Sequence, residues 1–329
     1  MNVLVVRLSA MGDIVHTVPL AVALRRHRPD ARIDWLVDRR YGVTLDLFDA
    51  VDRVITVDPA GAWRETVGVV RALRRTRYDA VIDAQGLLKS AILARLAGGT
   101  RTIGFAREAL REPAAARFYT ETVRPDLTAH VARQNLSLLT ALGIETSAIE
   151  TPVRTIASTV ADEVVRADGP RYGILNPGAG WPNKQWPPER FGEVARVTSE
   201  RLGLEWIVVW GPGEEALARR VEEASSGTAM LAPPTTLLDL MALVERAAVV
   251  VAGDTGPIHL AAAAGTPVVG LYGPTNPVRN GPWSPKDVAI SRFERCQCRH
   301  KRRCTAASWC LEGISVDEVV SAVEGRLAC

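Results

Sequence analysis

The stretch Val249-Val-Val-Ala-Gly-Asp-Thr-Gly-Pro-Ile-His259 joins an apolar, β-branched run to a glycine-rich turn. The valines predict a strand buried on both faces, and Pro257 favours the first turn of a helix. A buried strand that runs into a helix is the repeating unit of a parallel sheet. The stretch therefore predicts an α/β fold, and it leaves open what Asp254 and His259 do where the strand ends.

The same alternation of apolar runs and helical segments occurs twice along the chain. Predicted strands lie at 3–7, 32–37, 53–57, 79–84 and 101–105, and again at 172–178, 204–213, 228–231, 247–254 and 266–274. Predicted helices lie at 13–27, 62–76 and 87–98, and near 189–202, 214–224, 236–245 and 257–264. Strands alternating with helices indicate parallel sheets with helices on both faces.

The two sets of elements predict two domains. Residues 106–145 are predicted to be largely helical, and the polar segment 143–159 is predicted to be a linker. We therefore expect two doubly wound, Rossmann-like parallel sheets, formed by residues 1–155 and 156–329 and facing a central cleft. In such sheets ligands bind beyond the carboxyl ends of the strands, so the loops after strands are the candidate sites.

A final helix is predicted at 315–327. Ser315 and Glu318 fit a capping box at its start. We expect this helix to pack back on the first domain.

Length and composition exclude several classes of protein. A chain of 329 residues with 47% hydrophobic and 23% charged residues is globular rather than disordered. A net charge of +3 without a clustered basic stripe does not indicate nucleic-acid binding. The N-terminal apolar run, broken by Arg7, predicts a strand rather than a signal peptide, and no run reaches the roughly 20 residues that span a bilayer. Since none of the five cysteines precedes Cys296, we expect a cytoplasmic protein.

Several motifs of phosphate and hydrolytic chemistry are absent from the sequence. The chain contains no G-x-G-x-x-G, G-x-x-x-x-G-K-[ST], H-E-x-x-H or G-x-S-x-G. It also lacks Asp-x-Asp, the carboxylate pair that would hold a divalent ion against a diphosphate. A bound phosphate would therefore depend on lysine and on helix N-termini.

The loop at 176–191 follows the first strand of the second half. Gly178 and Gly180 let the backbone approach a ligand, Lys184 is a mobile cation that can meet a phosphate, and Pro188 suits the first turn of the next helix. The alternative is a long surface loop with a solvated lysine.

In the opening stretch, Gly256 is the expected helix cap and Pro257 the first helical residue. The N–H groups that follow could hold a phosphate. Because a carboxylate repels a diphosphate, Asp254 in such a site must accept hydrogen bonds from neutral hydroxyls, such as those of a sugar. His259 would lie on the first turn. The alternative is a turn aspartate and a structural histidine.

In the first half, Gly12 and Asp13 follow the first strand. Asp13 opens a helix, where the dipole favours its ionised form, which can accept a proton. The alternative is an ordinary helix cap. Basic and aromatic side chains of this half could face the same strand ends or could lie on solvated helix faces; they are Trp63, Arg64, Lys89, Arg107, Arg111 and Arg117.

Four cysteines near the C-terminus, Cys296, Cys298, Cys304 and Cys310, flank the basic run "RHKRR". Four thiolates can supply a tetrahedral structural zinc site. Their spacing is not a common paired Cys-x2-Cys pattern, and the alternative is that the positive charge steadies metal-free thiolates.

Several motifs together resemble the ADP-heptose:lipopolysaccharide heptosyltransferases, glycosyltransferase family 9. They are "RLSAMGDIVHTVPL" (7–20), "YDAVIDAQGLLKSA" (78–91), "LREP" (110–113), "GAGWPNKQWP" (178–187) and "GDTGPIHLAAAAGTPVVGLYGPT" (253–275). The resemblance runs in order from residue 1 to about 290. It departs where Ala10 replaces a frequent second serine, where Arg7 replaces a common lysine, and where "AGAWRE" (60–65) is less basic than usual.

This resemblance implies an inverting, metal-independent transferase of the GT-B fold, with Asp13 as catalytic base. The donor-binding residues that it implies are Asn176, Gly178, Ala179, Lys184, Glu214, Thr235, Asp254, Thr255, Gly256 and His259. The acceptor-binding residues that it implies are Ser9, Gly12, Trp63, Arg64, Gln85, Lys89 and Arg111.

The implied donor is ADP-heptose, and the implied acceptor is the Kdo of the lipopolysaccharide inner core, carried on lipid A. No cofactor is required. We expect a monomer that binds no nucleic acid and makes transient contact with the cytoplasmic face of the inner membrane. The alternatives are a related GT-B transferase with another nucleotide sugar or acceptor, and a nucleotide-sugar-binding or epimerase-like protein without this activity.

Overall fold

The computed structural model describes residues 1–61, 63–165, 169 and 171–328. The chain divides into two compact units, Met1–Arg154 and Thr155–Cys329. The division falls inside the segment predicted to be a linker. No helix among the described residues is long and apolar enough to cross a membrane.

The first unit is built on a six-stranded parallel sheet. Its strands are β1 (Asn2–Val6), β2 (Arg32–Asp38), β3 (Arg53–Val57), β4 (Ala80–Asp83), β5 (Arg101–Phe105) and β6 (Glu121–Val123). Its helices are α1 (Met11–Val15), α2 (Val18–His27), α3 (Trp63–Arg74), α4 (Leu88–Leu96) and α5 (Val131–Ser137). The strand order is β3-β2-β1-β4-β5-β6.

The second unit has a parallel sheet of the same size. Its strands are β7 (Tyr172–Asn176), β8 (Glu205–Val208), β9 (Ala229–Leu231), β10 (Val249–Gly253), β11 (Val268–Tyr272) and β12 (Val288–Ser291). Its helices are α6 (Thr159–Val164), α7 (Pro188–Leu202), α8 (Glu215–Ala224), α9 (Leu237–Arg246), α10 (Gly256–Ala264), α11 (Pro277–Asn280) and α12 (Val316–Ala328). The strand order is β12-β11-β10-β7-β8-β9.

Both sheets therefore have the strand order of the Rossmann fold, and the prediction of two doubly wound sheets is confirmed. In each unit the order reverses between the first and fourth strands, which are β1 and β4 in one sheet and β7 and β10 in the other. The loops after neighbouring strands diverge at this switch point and leave a crevice for a ligand. The candidate sites are expected at these two places.

Burial explains why the apolar runs form central strands. The five residues of β10 and the five of β11 are all buried, as a strand covered by helices on both faces requires. In the first unit, residues 3–6 of β1 are fully buried. The core of each unit thus lies directly beneath the loops at its switch point.

Two secondary-structure predictions were wrong, and some elements were not predicted at all. The helix predicted at 13–27 is split into α1 and α2, since Pro19 lacks the N–H that a continuous helix needs at that position. The region 106–145 is only partly helical, because Pro113 and Pro125 interrupt it and β6 pairs with β5 between them. Strand β12 was missed. Ala62, the first residue of the helix predicted at 62–76, lies outside the described residues.

The closing helix α12 follows the predicted capping box. Ser315 Oγ accepts from the Glu318 N–H at 3.2 Å, and Glu318 Oε2 accepts from the Ser315 N–H at 2.9 Å. We expected this helix to pack back on the first domain. The structure places Val319, Val320 and Val323 in the core of the second unit, and packing against the first domain stays a prediction.

A buried ion pair also fixes α12 to the second sheet. Arg326 Nε donates to Asp287 Oδ1 at 2.9 Å, and the two side chains are only 10% and 2% exposed. Because Arg326→Ala would leave this carboxylate buried without its cation, we expect the free energy of unfolding to fall by about 3–5 kcal/mol. Urea denaturation measures this loss.

The matched control for that measurement is Glu324→Ala on the same helix. Glu324 pairs with Arg201 at an exposed position, so its loss should cost less than about 1 kcal/mol. Equal losses in the two variants would show that the buried pair contributes no more than the exposed one.

Candidate functional site

The loops after β7 and β10 are tied together at the switch point of the second unit. The register pairs Ala252 with Asn176 at the carboxyl ends of the two strands. The Asn176 amide donates to Thr255 Oγ1 and to the Gly178 carbonyl, both at 3.1 Å. Asn176 therefore fixes the loop after β7 relative to the loop after β10, and most candidate donor residues lie on these two loops.

Asp254 contacts two side chains, Lys184 and His259, beside these loops. Lys184 Nζ lies 2.5 Å from Asp254 Oδ2, and His259 Nε2 lies 3.1 Å from Asp254 Oδ1. Burial alone would raise the pKa of Asp254, but the hydrogen bond from His259 and the charges of His259 and Lys184 outweigh it and hold that pKa well below its usual range. Asp254 is therefore an ionised anchor for both side chains.

The prediction that Lys184 is a mobile cation was wrong. Its side chain is only 14% exposed, and its ammonium lies 4.6 Å from the centre of the Trp181 ring, in a cation–π contact. Asp254 and Trp181 thus fix the direction in which Lys184 presents its charge. The other tryptophan of the loop, Trp186, is buried against Phe191 and donates to the Ile314 carbonyl at 3.1 Å.

Two glycines permit close packing around the cluster. A Cβ at Gly253 would lie 2.7 Å from the Lys184 carbonyl oxygen. A Cβ at Gly178 would overlap the carboxylate of Glu214, which accepts from the Gly211 N–H at 3.0 Å. The Glu214 carboxylate therefore packs against the backbone of both Gly178, in the loop after β7, and Gly211, in the loop after β8.

Helix α10 begins at the same place. Its first residue is Gly256 and its N-cap is Thr255, so the prediction of Gly256 as the cap was wrong by one residue. Among the described residues, the Thr255 side chain makes no cap hydrogen bond, and it donates instead to the Gly253 carbonyl at 3.3 Å. The positive end of the helix dipole therefore lies beside Lys184 and His259.

Two further donor candidates occupy different positions. Ala179 is buried in the loop after β7. Thr235 lies after β9, which β8 separates from β7 in the sheet. Of the donor candidates, Thr235 is thus the one on the outer part of the sheet.

The switch point of the first unit presents Asp13. Its side chain is 40% exposed, and Oδ1 lies 2.8 Å from Nη2 of Arg7. Its Oδ2 accepts from the Ala10 N–H at 3.3 Å, so Asp13 also has the capping role that was the alternative interpretation. Arg7 is itself buried and donates to the Ala84 carbonyl at 2.5 Å. A buried guanidinium thus orients a carboxylate that is open to solvent.

The loop after β4 closes the other side of this switch point. Gln85 Oε1 accepts from the Leu8 N–H at 2.7 Å, which joins the loops after β1 and β4. Asp83 is fully buried and holds this loop in shape. Its carboxylate accepts hydrogen bonds from the Gln85 and Gly86 N–H groups and from the hydroxyls of Ser90 and Tyr119. Burial raises the pKa of Asp83.

Sequence reasoning missed the roles of Arg7, Asp83 and Tyr119. The available signal was a charged residue at the exit of an apolar strand, as at Arg7 and Asp83. For Tyr119 no local pattern exists, since its hydrogen bond to Asp83 spans 36 positions.

The acceptor candidates lie in the loops and first helical turns that follow strands of the first sheet. Ser9 and Gly12 follow β1, Gln85 and Lys89 follow β4, and Arg111 follows β5. Lys89 also interacts electrostatically with Asp38, at the end of β2. A hydrogen bond from Arg40 lowers the pKa of Asp38 against the effect of burial, and the charges of Arg40 and Lys89 add to this.

Trp63 and Arg64 begin α3, which follows β3. Trp63 is 71% exposed, and the Arg64 guanidinium lies 5.9 Å from the centre of its ring. The remaining arginines of this group, Arg107, Arg111 and Arg117, are also exposed. The first unit therefore presents several cations with solvent-accessible charge at one edge of its sheet.

The cysteine array packs against the loop that carries Lys184. Asn183 Nδ2 donates to Cys298 Sγ at 3.2 Å, and Trp309 Nε1 donates to the Gln185 carbonyl at 3.1 Å. Cys296 Sγ lies 3.4 Å from Cys298 Sγ. Within the described ranges, no group of three or more His, Cys, Asp or Glu side chains is arranged to hold a metal ion. A structural zinc at Cys296, Cys298, Cys304 and Cys310 stays a prediction.

The alternative interpretation of the array, metal-free thiolates steadied by the basic run, also stays a prediction. Burial raises the pKa of both the Cys296 and the Cys310 thiols. Burial thus acts against the thiolate form at these two positions.

Two Rossmann-like units, each with a polar cluster at its switch point, define a protein of the GT-B class. Comparison with known proteins gives the family. The sequence profile of glycosyltransferase family 9 (heptosyltransferase) matches residues 67–310. Lipopolysaccharide heptosyltransferase 1 of Pseudomonas aeruginosa is 32% identical over 320 residues, which cover 93% of this chain and 88% of that protein.

Solved structures agree with this assignment. Heptosyltransferase WaaC of Escherichia coli with ADP is 27% identical, with a TM-score of 0.81 over 99% of this chain and 100% of that chain. The same enzyme with ADP-2-deoxy-2-fluoro heptose is 28% identical, with a TM-score of 0.80 over 98% and 99% of the two chains. This chain belongs to glycosyltransferase family 9, the heptosyltransferases, and the predictions of the family and of the GT-B fold are confirmed.

Proposed function

We propose that this protein is a heptosyltransferase of type I, which transfers heptose from ADP-heptose to the Kdo of the lipopolysaccharide inner core. The observation that carries the proposal is that each switch point holds one of the two chemical parts of a glycosyl transfer. The first holds a solvent-open carboxylate, Asp13, and the second holds a fixed cation, Lys184, beside a helix N-terminus. The ADP-heptose analogue bound to WaaC and the name of the Pseudomonas relative support the donor and the reaction.

The proposed reaction is a single displacement with inversion. The acceptor hydroxyl oxygen attacks the anomeric carbon while Asp13 takes the hydroxyl proton. The bond from that carbon to the diphosphate oxygen breaks, and ADP leaves with the electron pair. Lys184 and the N–H groups at the start of α10 stabilise the charge that develops on the diphosphate. No step requires a divalent ion, in keeping with the absence of Asp-x-Asp from the sequence.

The sequence suggested that Asp254 accepts hydrogen bonds from sugar hydroxyls, but in the proposed reaction it mainly positions other side chains. Its two carboxylate oxygens accept from Lys184 and His259, so its main role is to hold these two side chains toward the diphosphate. Each oxygen keeps a lone pair that can accept from a donor-sugar hydroxyl. The other donor candidates in the proposed site are Asn176, Gly178, Ala179, Glu214, Thr235, Thr255 and Gly256.

The remaining parts of the proposal concern the acceptor and the cellular context. The first unit binds Kdo on lipid A through Ser9, Gly12, Trp63, Arg64, Gln85, Lys89 and Arg111, whose cations match the carboxylates of Kdo. The protein acts as a monomer in the cytoplasm, in transient contact with the cytoplasmic face of the inner membrane.

Turnover with a panel of nucleotide sugars and acceptors tests the function. We expect release of ADP from ADP-heptose only when a Kdo-bearing acceptor is present. Turnover of a different nucleotide sugar, or a different acceptor, would move the protein to another GT-B activity. Binding of ADP-heptose without turnover on any acceptor would favour the non-catalytic alternative.

Arg64→Ala and Lys89→Ala test the acceptor surface. Each removes one exposed cation that can pair with a Kdo carboxylate, so we expect the KM for the acceptor to rise about tenfold. The donor KM should stay within about twofold. Arg133→Ala, which removes an exposed arginine on α5, is the matched control. An acceptor KM unchanged from that control would remove the residue concerned from the site.

A further inference from the structure

We propose that the outward face of α4 is the surface through which this protein binds an anionic lipid bilayer. This inference rests on the proposed function in one respect, which is that the acceptor is a membrane lipid. The face consists of Leu88, Ile92 and Leu96, with Lys89 and Arg95 beside them. It is called the α4 face below.

The three aliphatic side chains of the α4 face form one exposed stripe. Leu88, Ile92 and Leu96 are 38%, 39% and 39% exposed. They are spaced four residues apart, so on a helix of 3.6 residues per turn they lie within an arc of about 80°. A single exposed leucine needs no explanation, but three aligned ones form a contiguous apolar patch.

The opposite side of α4 accounts for the packing of the helix. Ser90, Ala91, Leu93 and Ala94 are buried against the unit. The helix is therefore already anchored by its inner side, and the stripe is not needed to hold it on the sheet. The exposed leucines and isoleucine remain to be explained by a contact outside the unit.

Charge indicates which contact this is. Lys89 and Arg95 are both exposed and lie on the two sides of the stripe, so the apolar residues are bordered by cations. The helix sequence, "LKSAILARL", contains no acidic residue. An apolar stripe with basic flanks matches the surface of an anionic bilayer, where the apolar side chains enter the interface and the cations meet the headgroups.

The segment that packs on α4 extends this basic character. The short 3₁₀ segment Pro113–Phe118 packs against α4, and Arg111 and Arg117 of this region are exposed. Residues 107–118 contain two acids. Glu108 is exposed, whereas Glu112 Oε2 accepts from the Leu88 N–H at 2.7 Å and is thereby engaged with the start of the helix.

The size of the stripe predicts a weak, reversible contact. Three partly exposed side chains bury far less apolar area than a lipid anchor or a membrane-spanning helix, and cations add an attraction that salt screens. A transferase that must reach one lipid after another needs such a contact. Lys89 belongs both to the α4 face and to the proposed acceptor site. Binding of this face to the membrane would therefore place the headgroup of the lipid acceptor beside the loop after β4.

The test uses co-sedimentation of the full-length protein with lipid vesicles. The vesicles contain phosphatidylethanolamine and phosphatidylglycerol in a ratio of about 7:3, so that the fraction of anionic lipid is on the order of that in a bacterial membrane. The variant Leu88→Gln/Ile92→Gln/Leu96→Gln keeps good helix formers at exposed positions, so the fold should be retained. We expect its vesicle affinity to fall at least about fivefold. Arg95→Glu should weaken binding to these vesicles, and wild-type binding to phosphatidylcholine vesicles should be weak.

Leu202→Gln is the matched control, since it replaces an exposed leucine of similar accessibility on α7. It should bind vesicles as the wild type does. Vesicle affinity of the triple variant equal to that of the wild type would overturn the proposal. So would equal wild-type binding to anionic and to phosphatidylcholine vesicles.

An activity comparison separates this proposal from the proposed function. With the Kdo acceptor embedded in vesicles, the triple variant should lose at least about fivefold in kcat/KM, but with a soluble deacylated acceptor it should match the wild type. An equal loss on both acceptors would mean that the stripe acts inside the site, against the proposal. If the wild type turns over neither acceptor, the proposed function fails, whereas the sedimentation result still decides the α4 face.

Discussion

Asp13→Asn is expected to lower kcat by about 10²–10⁴-fold while ADP binding is retained. The amide has nearly the shape of the carboxylate but cannot accept a proton from the acceptor hydroxyl. The ion pair with Arg7 and the hydrogen bond from Ala10 fix where this carboxylate points, so the variant removes a positioned base. Steady-state turnover and calorimetric titration with ADP measure the two quantities.

Asp30→Asn is the control for this variant, because Asp30 is an exposed residue of the same unit, in the turn before β2. It should leave kcat unchanged. If Asp13→Asn retains the activity of this control, Asp13 is a helix cap and not the base. Loss of ADP binding together with activity would indicate a general structural effect, which a thermal melt of the variant would reveal.

Lys184→Ala is expected to lower kcat/KM for the donor by about 10²–10³-fold, the usual effect of removing one group that stabilises charge in a transition state. Lys184 is one of two side chains that contact Asp254, and its ammonium is held in place by that carboxylate and by Trp181. Its removal takes positive charge from the diphosphate and also leaves Asp254 with less compensation. Both effects oppose the binding of an anionic donor.

A double-mutant cycle separates these two effects. In Lys184→Ala/Asp254→Asn the uncompensated carboxylate is also removed, so part of the lost donor affinity should return if repulsion contributes. Lys286→Ala, at an exposed position of the same unit, is the control and should match the wild type. Donor kinetics of Lys184→Ala equal to those of Lys286→Ala would exclude Lys184 from the site.

The central strands were predictable because their signal is local. Strands β3 and β5 have the bounds predicted for them, and β10 and β11 lie within the predicted ranges. Continuous apolar runs of this length have few alternatives once turns bound them. The topology followed, since strands that alternate with helices form a parallel sheet with right-handed crossovers.

The errors occur where a local pattern competes with proline or with pairing to a distant strand. Pro19 splits the first helix although the apolar period continues across it. Strand β6 has only three residues, and it becomes a strand because the free edge of β5 accepts it. Such a pairing depends on the tertiary fold and leaves little mark on the sequence.

The site was predictable as a set of positions but not as a set of contacts. The residues after β1, β7 and β10 could be named because ligand sites follow strand ends. That Lys184 is held by Asp254, across 70 positions, could not be read from either segment. The ion pair between Arg7 and Asp13 was likewise not predicted, although Asp13 itself was named as the candidate base.

The hydrogen-bond networks described in the two units are separate, and this bears on how specificity can change within the family. Every hydrogen bond described around Asp83 is made within the first unit, and every one around Asp254 within the second. Substitutions that retune one network therefore leave the partners of the other in place. Under the proposed assignment of the donor to the second unit and the acceptor to the first, the preference for a nucleotide sugar and the preference for an acceptor can therefore change independently, each through substitutions in its own set of loops.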